Sequence, residues 1–215
     1  MSQFLLDVGV NVFEVMAIMT LMLATFRFSL KGYIPHVFIA AAVMAQSSYL
    51  MRFVFELDSI TPLVMLGWFF IFAWLIFRIH PFYALLMVVT SYLIYLTIQS
   101  MILLLLRTGL DMEQITGSFL NVKLIQVAGS AITISIAYGM LRKRIGFSFV
   151  PDRSVEKVAV TGVNLVLLLI SLIACFFISG VAYIFINYTF LYSTLSTLFL
   201  LSVMLLVFLA FRKEL

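Results

Sequence analysis

Apolar runs of about 20 residues recur along this chain, and no other feature narrows its folding so far. The clearest is YALLMVVTSYLIYLTIQSMILLLL, from Tyr83 to Leu106, which carries no charged residue. At about 1.5 Å per helical residue, a run of this length crosses a hydrocarbon core of roughly 30 Å. A membrane barrel strand would alternate apolar and polar residues over about 10 positions, and this run does not. Composition agrees: 65% of the 215 residues are hydrophobic and 10% charged, where a soluble domain has roughly 45–50% and about 25%. The expected fold is all-α, a polytopic bundle of about seven transmembrane helices forming one domain over residues 1–215.

The seven spans are expected at about 4–26, 34–51, 60–77, 82–106, 118–141, 158–186 and 189–211. Pro35, Pro62 and Pro81 fall at or beside span starts, where a residue without an N–H is tolerated, and Pro151 falls in a loop. No proline interrupts a span, which weighs against the broken helices of ion-coupled carriers. The N-terminal segment has no basic n-region and carries Asp7, so it is read as a retained span and not as a cleaved signal peptide.

Orientation follows from the stretch RKRIGFSFVPDRSVEK, Arg142 to Lys157, which reads as a solvated cytoplasmic loop because short Lys/Arg-rich loops stay inside. With it inside, the inner side also holds Arg27, Lys31, Arg78, Arg212 and Lys213, and the outer side holds Arg52 and Arg107. The N-terminus is then expected outside and the C-terminus in the cytoplasm, in a bacterial inner or plasma membrane. The net charge of +4 is spread between apolar segments, so it reads as a topology signal and not as nucleic-acid binding.

Polar residues within spans carry the functional reading, because an ionisable group in hydrocarbon costs at least roughly 2.5 kcal/mol and needs a partner or a wet cavity. Glu14 lies deep in span one and Lys123 enters span five from the outside. Gln46, Ser47, Ser48, Gln99, Ser100, Asn121, Gln126, Tyr192, Ser193 and Thr194 fall at comparable outer depth, whereas the inner halves are drier. This distribution predicts a cup open to the outside, with Glu14, Gln46, Gln99, Lys123, Gln126 and Tyr192 as candidate ligand-binding residues and a Glu14–Lys123 ion pair as an option. The structural alternative is that the polar groups only bond helix to helix and that Lys123 snorkels outward. Small residues at Ala41/Ala45 and Ser135/Gly139 have spacings that permit close helix approach.

The sequence contains no HExxH, GxSxG, phosphate-binding glycine loop or paired-glutamate motif, so neither enzymatic activity nor a cofactor is expected. The single cysteine, Cys175, excludes an internal disulfide, a CxxC pair and a thiolate zinc cluster. His36 and His80 stand apart from any Cys, Asp or Glu cluster in sequence, and no metal site is expected. Asn187-Tyr188-Thr189 matches a glycosylation triplet, which matters only in a secretory eukaryotic setting.

Three stretches then carry a family likeness: RIHPFYALLMVVTSYLIYLTIQSMILLLL at 78–106, LRKRIGFSFVP at 141–151, and a last span ending in FRKEL. With the seven-span layout they resemble the membrane sensor domain of accessory gene regulator (Agr-type) quorum-sensing histidine kinases. The resemblance implies capture of a short secreted peptide at the outer half of the bundle and signalling through the last span to a cytoplasmic kinase or other partner. A phospho-accepting histidine segment and a nucleotide-binding glycine motif are missing from these residues, so kinase activity does not carry over. The chain is expected to be the sensor portion of a longer protein or to signal through a partner, with a homodimer as one form. The alternatives are a substrate-capturing subunit of an importer and a membrane assembly protein without a ligand.

Overall fold

The computed structural model describes residues 2–58, 60–110, 114–115, 117–151, 162–187 and 192–214, with backbone alone for residues 2–3, 163, 179–187, 192–196, 199 and 213–214. The described residues form helices and connecting turns, with no strand among them. In chain order the long helices are α1 (Ser2–Thr25), α2 (Ile34–Tyr49), α3 (Thr61–Ile71), α4 (Pro81–Arg107), α5 (Phe119–Lys143), α6 (Val163–Asn187) and α7 (Tyr192–Glu214). They coincide with the seven apolar runs to within a few residues. The expected starts of spans six and seven lie partly outside the described residues. Among the described residues, four helical segments are long and apolar enough to cross a membrane: Phe4–Thr25, Ile34–Val54, Pro81–Arg107 and Phe119–Lys143.

Helix ends follow from local chemistry. Pro35, Pro62 and Pro81 sit in the first turns of α2, α3 and α4, where their missing N–H breaks no intrahelical bond. His80 caps α4, its Nδ1 accepting from the Phe82 N–H at 3.2 Å. α2 and α3 each continue into one π-helical turn, Leu50–Val54 and Phe72–Ile76, closed by Phe55 N–H to Leu50 O at 3.0 Å and Phe77 N–H to Phe72 O at 3.1 Å. Four helical segments finish on a charged residue in the left-handed region: Arg27, Glu56, Arg78 and Arg144, with φ between 52 and 56°.

α4 is the hub, packing against α1, α3, α5, α6 and α7, while α1 packs most extensively on α5 and α2. α1 and α5 run parallel: Asp7 meets Lys123 near their starts, and Thr25 O accepts from the Phe147 N–H just beyond the end of α5. One apolar core runs through α1–α4, α6 and α7, with Met19, Leu23, Met44, Phe69, Met87 and Leu93 fully buried in it.

The segment after α5 departs from its reading as a solvated loop, because Phe147 and Val150 are buried. Phe147 packs on Phe26 at 5.8 Å, Phe149 at 5.7 Å and Phe211 of α7 at 5.2 Å between ring centroids. Three aromatic or branched side chains follow the basic cluster closely enough for the chain to fold back under the bundle. Gly146 makes the turn: its φ is 147°, and a Cβ there would meet Thr25 O at 2.5 Å.

The small-residue pairs divide. Ala41 and Ala45 are fully buried, as close approach requires. Ser135 is exposed and nothing lies within 4 Å of a Cβ built at Gly139, so that pair forms no helix contact among the described residues.

Candidate functional site: a polar network at the start of the bundle

Three helices present polar residues at helical repeat. On α1, Asp7, Asn11 and Glu14 stand at i, i+4 and i+7; on α5, Lys123, Gln126 and Ser130 stand at i, i+3 and i+7; on α4, Tyr92, Tyr95 and Gln99 repeat the latter spacing. Each set therefore lies on one face of its helix, and the packing of α1, α4 and α5 turns these faces together.

Lys123 is buried and snorkels nowhere. Its ammonium pairs with Asp7 Oδ1 at 2.5 Å, donates to Gln126 Oε1 at 3.1 Å and lies 5.5 Å from the Phe119 ring centroid. The other Asp7 oxygen accepts from Asn11 Nδ2 at 2.9 Å. Gln126 passes the connection on, its Nε2 donating to Glu14 Oε2 at 2.5 Å. The Tyr95 hydroxyl accepts from Gln99 Nε2 at 2.5 Å and lies 3.4 Å from Ser130 Oγ. Gly129 leaves room for the Gln99 amide, which a Cβ would strike.

The direct Glu14–Lys123 pair is replaced by an Asp7–Lys123 pair with Gln126 as the link to Glu14. Depth explains this. Lys123 stands one turn into α5 and Asp7 a little over one turn into the parallel α1, whereas Glu14 is seven residues, about 10 Å, further along. Burying an ion pair is tolerable only where the remaining lone pairs and protons are also bonded, and Asn11 and Gln126 fulfil that condition here.

On its other side Glu14 opens on a cleft of about 40 Å³ between α1, α2, α3 and α4, lined also by Asn11, Ser48, Arg52 and Tyr92. Arg52 belongs to the π turn that extends α2, a distortion often found at functional sites. Among the described residues its guanidinium has no hydrogen-bonded or ion-paired partner. Donors of Arg52 and a carboxyl of Glu14 thus border one small polar space.

The sequence-derived candidates do not all converge. Glu14, Gln99, Lys123 and Gln126 share the network, whereas Gln46 is exposed, because α2 buries Ala41, Met44, Ala45 and Ser48 instead. The side chain of Tyr192 lies outside the described residues, as do those of Ser193 and Thr194. Asn121 is exposed and donates to Gln114 O at 2.8 Å. Ser47 and Ser100 spend their hydroxyls on carbonyls four residues back in their own helices, which is the purely structural use of a serine in a span. Asp7, Asn11, Arg52 and Tyr95 are members that the sequence reading did not include. Among the described residues no group of three His, Cys, Asp or Glu side chains is placed to hold a metal ion.

Among the described residues, the space beside Glu14 is a narrow cleft. A water needs roughly 10–15 Å³ of such space, so 40 Å³ admits about three waters or one small polar group, not a peptide. The reason is that α1, α4 and α5 turn their polar groups toward one another and so fill the volume that a ligand would need. No family model, curated protein or solved structure matches the chain.

Proposed function

We propose that the chain is a seven-span membrane protein, N-terminus outside and C-terminus in the cytoplasm, that acts as a receptor-like sensor of an extracellular peptide or small amphipathic ligand. The observation that supports this reading is the cleft bordered by both Glu14 and Arg52. Acceptor and donor side by side suit an amide or a peptide terminus. Given the size of the cleft, one such group enters and the rest of the ligand lies across the outer rim.

Competition for Glu14 would perturb Gln126, and through it the contacts of α5 with α1 and α4. A ligand that prefers one arrangement of these helices shifts the population toward it. α4 also packs on α7, the route by which the shift would reach a cytoplasmic kinase or other partner. The resemblance to Agr-type sensors points the same way.

The assembly reading is favoured by one specific observation: most members of the network satisfy one another, as they would if they served packing alone. At the Glu14 cleft the importer reading has less support, since capture of a vitamin-sized solute calls for a pocket of about 300–1,000 Å³.

Thermal unfolding of the purified protein in detergent, against short peptides with free and amidated termini, tests the proposal. A stabilising peptide is expected to lose its effect in Glu14→Gln and Arg52→Gln and keep it in Gln46→Ala. Loss in all three, or stabilisation by none of a broad peptide set, would favour the assembly reading.

A further inference from the structure

At the other end of the bundle, the turn that follows α1 and the end of α5 border an open cavity of about 740 Å³. Arg27, Lys31 and Arg144 line it, and no acidic residue does. Among the described residues none of the three cations has an acidic partner. The remaining wall is largely apolar, with Leu30, Met140 and Leu141 contributing.

Both arginines are held there by the way their helices stop. Arg27 and Arg144 each occupy the left-handed position of a Schellman ending, with Phe28 N–H to Leu23 O at 2.8 Å and Ile145 N–H to Met140 O at 3.0 Å. Glycine is the usual residue at this position, so in two places an arginine stands where its backbone is disfavoured. Helix C-termini carry about half a negative charge each. Two such ends offset only about one of the three positive charges, and among the described residues the cavity keeps a positive balance.

A space of this size, cationic on one part of its wall and apolar on the rest, matches a phosphate ester joined to hydrocarbon. We propose that it binds the headgroup phosphate of an anionic phospholipid, with the glycerol and upper acyl chains against Leu30, Met140 and Leu141. The proposal rests on the membrane reading of the chain but not on the ligand proposed for the Glu14 cleft. Basic pockets between membrane helices are a known mode of headgroup capture. A soluble phosphate would use the same cations without the apolar wall.

The test is lipid retention and thermal stability of the full chain in nanodiscs of phosphatidylcholine with or without phosphatidylglycerol, and in detergent with inorganic phosphate or glycerol phosphate. Phosphatidylglycerol is expected to be retained preferentially and to raise the midpoint by several degrees. Arg27→Gln/Lys31→Gln/Arg144→Gln removes all three cations of the cavity and should abolish most of the preference. Arg78→Gln/Arg142→Gln/Lys143→Gln removes the same charge from the same end and should leave most of it. Ser29→Trp, which places an indole in the cavity while keeping every cation, should reduce the preference and serves as the decisive variant if the triple substitution fails to insert. Equal loss in both triple variants, or an unchanged preference in Ser29→Trp, would overturn the site in favour of diffuse surface attraction. An equal response to inorganic phosphate would overturn the lipid assignment in favour of a soluble anion.

Discussion

Lys123 illustrates how a single residue can be found in a sequence while its partner is mistaken. A cation in an apolar run advertises itself, but Asp7 lies near the chain start, where an acid is easily counted as solvated. The i, i+4, i+7 series Asp7, Asn11, Glu14 was the signal that it faces inward. Because both charges are buried, removing one leaves the other uncompensated. Lys123→Met is expected to lower the unfolding free energy by about 3–5 kcal/mol, with Asp7→Leu/Lys123→Met recovering most of it. Unfolding in bicelles across the full double-mutant cycle measures this, and additive losses would show that the pair is not closed in a bilayer.

Among the elements, the segment after α5 depends most on a contact that no local pattern announces. Its basic residues suggest water, and its burial rests on Gly146 approaching the last carbonyls of α1. Gly146→Ala forces a side chain onto Thr25 O and an L-residue into a conformation it rarely adopts, at a cost of about 1–3 kcal/mol. The expected outcome is release of Phe147 from Phe26 and Phe211, seen as faster tryptic cleavage at Arg142, Lys143 and Arg144 in the folded protein. Unchanged cleavage would mean that the turn is not held by this approach. The π turns of α2 and α3 were equally hidden from the sequence, since one extra residue in a helical turn leaves composition and hydropathy unaltered. One of them carries Arg52 to the Glu14 cleft, a position that its place among the outer-side charges of the sequence does not reveal.

Over the whole molecule, the proposed topology places the turn after α1 and the segment after α5 on one side and the α2–α3 connection on the other. Single cysteines at Ser29 and Leu57, introduced on a Cys175→Ser background, test it with a membrane-impermeant thiol reagent. Leu57→Cys should react in intact cells and Ser29→Cys only after the membrane is opened. The reverse pattern would invert the orientation, and reaction of both from outside would remove the odd number of spans between the termini. The result also bears on the basic cavity, which belongs to the leaflet that Ser29 faces.

The helical class and the approximate bounds of the long helices were determined by the sequence alone, because hydrocarbon thickness imposes a length on every apolar run and proline marks its start. What only the tertiary structure decided was which faces meet: α4 as hub, α1 parallel to α5, Gln46 turned away and Asp7 turned inward. Within lipid an apolar face gains little by choosing one apolar neighbour over another. The choice falls instead to side-chain fit and to the few polar groups that must find partners, and those are properties of pairs of helices that no single run contains.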